Sequence, residues 1–164
     1  HVVYLDGTSV KHCTSTDNQS WSAPSDVAMP ADVPGTNPLI GVSLTSYGGE
    51  PYLAVYSSST VWVGKLTAFR ASAKKALDGG NYSNGLWLGA NESGTVLTVV
   101  TSSGGVAASA ESGPWVTVPT NLNVASGPLG IGSFTKGLML VPYVSSVGDP
   151  PNLTSQMSFF YGIC

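Results

Sequence analysis

Four short apolar runs of one kind punctuate the chain: Val2-Val3-Tyr4-Leu5, Leu53-Ala54-Val55-Tyr56, Leu97-Thr98-Val99-Val100 and Leu138-Met139-Leu140-Val141. The first three each lead through a Ser/Thr/Gly/Asp turn into a second strand-like run, so each reads as a β-hairpin. The expected pairs are 1–5 with 8–13, 52–56 with 61–66, 95–101 with 106–110, and a looser last pair, 138–144 with 157–164. Asp6-Gly7 is the two-residue hairpin signal of the first pair, which sets Leu5 opposite Thr8, Val3 opposite Val10 and His1 opposite His12. A second element alternates with the hairpins: Pro38-Leu39-Ile40-Gly41-Val42, Gly85-Leu86-Trp87-Leu88-Gly89 and Pro128-Leu129-Gly130-Ile131-Gly132. The pattern returns at intervals of roughly 40–50 residues, the mark of units that bury their apolar faces only against one another.

Helical signals are scarce. Residues 66–77 have helical composition and are ended by Asp78-Gly79-Gly80, and a loop with a helical turn is expected there. After the hairpins come segments with a tryptophan and a proline, Trp21-Ser22-Ala23-Pro24 and Trp115-Val116-Thr117-Val118-Pro119; the second unit has residues 70–75 in that place. No linker divides the chain, so residues 1–164 form a single all-β domain of about three and a half degenerate repeats. A propeller-like series of four-stranded sheets suits the period best; a β-trefoil and an irregular β-sandwich remain open. A ring of so few repeats closes either within one chain or with a second copy, a homodimer.

The order of a Gly-flanked apolar strand, a tight hairpin and a Trp-bearing edge resembles the blade of the fungal fucose-binding lectin propellers. It is carried by the segment running from Pro38-Leu39-Ile40-Gly41-Val42 through Tyr52-Leu53-Ala54-Val55-Tyr56 to Val61-Trp62-Val63-Gly64-Lys65. In that family an Arg-Val-Tyr strand grips fucose, helped by a glutamate on the next strand. Here the matching strands read Leu-Ala-Val-Tyr and Leu-Thr-Val-Val, and 61–66 holds no glutamate, so the fucose-site residues are not retained. The resemblance implies a fungal lectin-like propeller that recognises some other sugar.

Charge changes the picture next. Charged residues make up only 9% of the chain, against roughly 25% in ordinary soluble proteins. Hydroxyls, amides and 20 glycines take their place, the habit of a secreted β-protein. A net charge of −3 with Arg70 as the sole arginine argues against a nucleic-acid partner, and the absence of a long apolar run argues against membrane insertion. Four N-x-S/T sequons, at Asn18, Asn81, Asn91 and Asn152, add to the expectation of a secreted, extracellular glycoprotein, its mature chain beginning at His1. In that compartment Cys13 and Cys164 are expected to form one disulfide tying the chain's end to its beginning.

Catalytic patterns are thin, and the chain reads as a binding protein rather than an enzyme. No nucleophile elbow, phosphate loop or zinc-finger spacing occurs. The nine acids sit beside turn residues, where carboxylates cap backbone amides. His1 and His12, with the α-amine, offer three nitrogens suited to Cu(II); in its ligands alone this resembles the histidine brace of the copper-dependent polysaccharide monooxygenases, in which the second histidine lies far along the chain. Carbohydrate recognition is the leading expectation, because a sugar needs an aromatic platform and short polar side chains. Trp21 and Trp115, at corresponding places in two repeats, are the first candidates and Trp62 the third; Tyr47, Tyr52, Tyr56 and Tyr82 are further platforms, while Trp87 reads as core. Glycans or glycoproteins are then the partners. The alternatives are a secreted fungal effector or elicitor acting through a protein partner, and a copper-binding protein.

Overall fold

A computed structural model describes residues 1–33, 39–80, 86–90, 96–101, 106–110, 113–118, 132–133, 138–147 and 154–163. The chain is all-β, and its strands fall into four successive antiparallel meanders in which only sequence neighbours pair. The first sheet holds β1 (Val2–Asp6), β2 (Ser9–Cys13) and β3 (Ser25–Asp26). The second holds β4 (Gly41–Tyr47), β5 (Glu50–Tyr56), β6 (Thr60–Lys65) and β7 (Lys74–Asp78). The third holds β8 (Leu86–Ala90), β9 (Val96–Thr101), β10 (Val106–Ala110) and β11 (Val116–Val118). The fourth holds β12 (Gly132–Ser133), β13 (Leu138–Val147) and β14 (Thr154–Ile163).

All four expected hairpins form, and the second recurring element leads into β4 and makes most of β8; of its third copy only Gly132, in β12, lies among the described residues. The leading strands lie side by side: β1 against β4, β4 against β8, and β8 against β12. A hydrogen bond pins one such neighbour, the Leu88 amide donating to Ser43 Oγ at 3.0 Å. The segments that follow the hairpins become β3, β7 and β11, each at the edge of its sheet.

The first three sheets stack face to face. Val10 and the half-buried Val3 and Leu5 of the first sheet pack on Leu53, Val55 and Trp62 of the second. The opposite face of the second sheet, Ala54, Tyr56, Val61 and Val63, packs on Leu86, Leu88, Leu97 and Val99 of the third. Strict alternation assigns odd and even positions of β5 and β6 to different neighbours, so both faces are covered. This explains why the central strands are apolar throughout rather than alternating with polar residues.

One local expectation is corrected and a second holds only in part. Gly7 and Thr8, not Asp6 and Gly7, are the central residues of the first turn, because Asp6 pairs with Ser9, Leu5 with Val10 and Val3 with His12. Gly7 sits at φ +60° and Thr8 does not take a positive φ, the demand of a turn with glycine at its first central position only. The helical composition of 66–77 yields a 3₁₀ turn (Leu66–Ala68) and one turn of α1 (Phe69–Ser72), after which the chain becomes β7. Pairing with β6 and burial of Ala76 and Leu77 override helix propensity there.

Candidate functional site

The strand ends Tyr47, Lys65 and Ala110, with the starts of β5 and β9, meet on one rim of the stack. There the second and third sheets part around an open cleft of about 430 Å³, within the ~300–1,000 Å³ typical of small-molecule sites. Tyr47 and Tyr52 flank the β4–β5 turn and point to the third-sheet side, where their rings meet edge to face, centroids 5.1 Å apart at 81°. Trp115 enters from the segment before β11, packed half-buried on the inter-sheet core. Three aromatic rings therefore border the space, with Leu97 and Val63 behind them.

Its polar lining includes Ser72, Ser109 and the lysines Lys65 and Lys74. The Lys65 amide donates to Ser72 Oγ at 2.9 Å, and that hydroxyl donates to the Ala68 carbonyl at 2.9 Å. Ser109 Oγ donates to the Gly113 carbonyl at 2.9 Å, which leaves its oxygen lone pairs able to accept. Lys65 Nζ is held by Glu50 at 2.5 Å; this hydrogen bond and ion pair raise the ammonium's pKa. Burial, ahead of the nearby charges, pushes the Tyr52 phenol up, so it stays a neutral hydroxyl at physiological pH. Gly64 lets the rim close up: a Cβ there would lie 2.7 Å from both Cα and N of Ala73.

The expected site residues separate. Trp115 lines the cleft, as do Tyr47 and Tyr52. Trp62 does not: at 2% exposure it is core between the first and second sheets, its Nε1–H reaching Asp32 Oδ2 at 3.5 Å. As a ligand platform Trp62 is thus corrected, since both faces of its sheet are covered. Tyr56 is likewise buried. Trp21 is 44% exposed on a polar loop and lines neither this cleft nor its neighbour. Trp87 is half-buried between buried Leu86 and Leu88. Ser72 and Ser109 were not foreseen, because only the stacking of sheets brings them beside Trp115.

The two histidines do meet. Val3, not His1, stands opposite His12, yet His1 shares Val3's face, so the two imidazoles are diagonal neighbours. His1 Nδ1 and His12 Nε2 are 2.9 Å apart in nearly coplanar rings, 15° between planes. Burial first, and the positive α-ammonium of His1 second, lower the pKa of His12. Among the described residues no group of three or more His, Cys, Asp or Glu gathers to hold a metal; the pair offers two imidazole donors to Cu(II).

Several of the described acids are engaged in structure. Asp17 accepts from the amides of Gln19 and Ser20 at 2.9 and 2.8 Å, Asp26 pairs with Lys11 at 2.9 Å, and Asp78 accepts from Thr60 Oγ1 at 2.7 Å. Glu92, Glu111 and Asp149 lie outside the described residues. So do Tyr82, the sequons at Asn81, Asn91 and Asn152, and Cys164. Asn18 is exposed in a turn at φ 58°. Cys13 is a half-buried free thiol among the described residues, and its expected disulfide to Cys164 falls outside them. No family model matches this chain, and no curated protein or solved structure matches it either.

Proposed function

We propose that this chain is a non-catalytic carbohydrate-binding protein of propeller-like build, whose sugar site is the cleft between the second and third sheets. The observation that carries the reading is the convergence of Trp115, Tyr52 and Tyr47 on one open cavity beside the serine oxygens of Ser72 and Ser109. A pyranose presents an apolar C–H face that stacks on an aromatic ring and hydroxyls that need short neutral partners. Lys65 is offset by Glu50, and the aromatic rings and serine hydroxyls of the lining suit a neutral sugar. The build is supported by the succession of sequence-ordered meanders, their face-to-face stacking and the adjacency of β1, β4, β8 and β12. A β-trefoil would not produce that order. Secretion, a fungal source and glycan or glycoprotein partners belong to the same reading, supported by the low charge and the sequons.

The test is a glycan array on the intact protein, repeated after chelation, followed by calorimetric titration of any hit into wild type and Trp115→Ala. Selective, chelator-resistant binding that weakens tenfold or more in Trp115→Ala supports the reading. A blank array at millimolar sugar overturns it and turns attention to a protein partner.

A further inference from the structure

The same rim carries a second opening. Between the first and second sheets lies a cleft of about 470 Å³, separated from the first by α1, so that Ala71 lines both. Its floor is apolar, with Leu66 and Phe69 buried beneath it. Its polar lip is made by His12 at the end of β2, Asp26 of β3, Thr67 and Arg70. The position repeats that of the first cleft: each lies between consecutive sheets, where the third strand of a hairpin unit ends.

The two clefts differ in their charged groups: Lys65 and Lys74 line the first, His12, Asp26 and Arg70 the second. In the first cleft the Lys65 cation is matched by Glu50. In the second, the Asp26 carboxylate is taken by Lys11 at 2.9 Å. His12 is half-buried and bonded to His1. Arg70, exposed and the sole arginine of the chain, has no anionic partner among the described residues. An exposed guanidinium at the lip of a cavity, with an apolar floor and a threonine hydroxyl beside it, is built to accept a planar or tetrahedral anion through paired N–H donors.

We propose that this second cleft is a subsite for a saccharide bearing an anionic group, a uronate carboxylate or a sulfate ester, held by Arg70 with the ring over the apolar floor. The inference rests on the carbohydrate reading of the first cleft and adds a separate specificity to it. Asp26 and Lys11 cancel locally, so the lip has a positive balance in a chain that is acidic as a whole. That contrast favours an anion at this lip.

The experiment is calorimetric titration of three matched oligosaccharide probes: a neutral galactose oligomer, its uronate counterpart and its 6-sulfated counterpart. Wild type, Arg70→Ala, Arg70→Lys and Trp115→Ala are compared, with circular dichroism to check that each is folded. The expected result is a tenfold or greater loss of anionic-probe affinity in Arg70→Ala, partial recovery in Arg70→Lys, and retention in Trp115→Ala. Neutral-probe binding follows the reverse pattern. Response to the uronate alone or the sulfate alone identifies the group recognised. Anionic probes that bind Arg70→Ala as well as wild type, or that do not bind wild type at all, overturn the proposal. If the neutral probe still binds in those cases, the first cleft's reading survives; if only the anionic probes bind and Arg70→Ala loses them, the second cleft stands alone.

Discussion

His1 Nδ1 and His12 Nε2 lie 2.9 Å apart across the first hairpin, and their contact survives a turn placed differently from the one the Asp-Gly pair suggests. Moving the turn centre by one residue shifts the partner of every β1 residue by two, and a shift of two preserves the face. At least one imidazole of the bonded pair must be neutral, and burial together with the α-ammonium already lowers the pKa of His12. The neutral form is favoured in the fold, so as pH falls below the ordinary histidine value the unfolded chain takes up a proton that the folded chain resists. Stability held above that range is therefore lost as pH drops through it. In pH-dependent denaturation, His12→Asn should flatten the decline between about pH 7 and 5. An imidazole titration of His12 by NMR at or above the ordinary value would contradict the arrangement.

Trp62 is the largest fully buried side chain, closed between Val10 and Phe69 on one side of the second sheet. Trp62→Ala should lower the unfolding free energy by about 3–5 kcal/mol, as other large aromatic truncations in cores do. Trp62→Phe retains a ring and forfeits the long 3.5 Å bond to Asp32 and part of the indole's volume, so its cost should be smaller. Urea denaturation of the three proteins checks this. A Trp62→Ala variant within about 0.5 kcal/mol of wild type would be the behaviour of a surface position.

Much of the architecture is legible in the residues themselves. Short apolar, β-branched runs between Gly/Ser turns mark β5, β6, β9 and β10, because strand formation answers to local composition and turn signals. What eludes that reading depends on partners distant in sequence. Lys74-Lys75-Ala76-Leu77 looks helical until β6 offers it a ladder. Trp62 alternates correctly with Val61 and Val63, but alternation cannot say that both faces are covered. The cleft is half legible. Trp115, Tyr47 and Tyr52 stand out as aromatics near turns, whereas Ser72, Ser109 and Arg70 look ordinary until stacked sheets bring α1 beside β2 on one side and β10 on the other.

Asp17 offers a sharper acid titration than the histidines. The amides of Ser20 and Gln19, then the Ser15 hydroxyl, hold its carboxyl well below the usual value, at about 2. Hydrogen bonds to the ionised form stabilise the fold above the unfolded carboxyl value, and that stabilisation is lost as pH falls from there through the folded value. Asp17→Ala should loosen the turn before Trp21, seen as faster amide exchange at Gln19 and Ser20, with little effect on sugar affinity. A carboxyl carbon that titrates at the ordinary aspartate value would show that the turn is not held in this way.

Gly64 joins stability to the proposed site. Its missing side chain lets β6 approach the Ala73 backbone, and an added Cβ would meet Cα and N of Ala73 at 2.7 Å and Ser72 Oγ at 2.9 Å. The hydroxyl can rotate away but the backbone cannot, so Gly64→Ala must displace Ala73 and with it the adjoining ends of α1 and β7. Overpacking of this kind costs about 1–3 kcal/mol. The displaced segment carries Ala71, Ser72 and Lys74, which line the first cleft. Gly64→Ala should therefore lower the melting temperature and weaken the neutral sugar by at least several-fold even at temperatures where the variant is fully folded. Gly79→Ala serves as the comparison: it strains a turn at φ +76° with open space around it and lies away from the cleft. It should lower stability while leaving affinity unchanged. Equal sugar affinity in Gly64→Ala and wild type would separate the β6–α1 approach from the site and remove Ser72 from it.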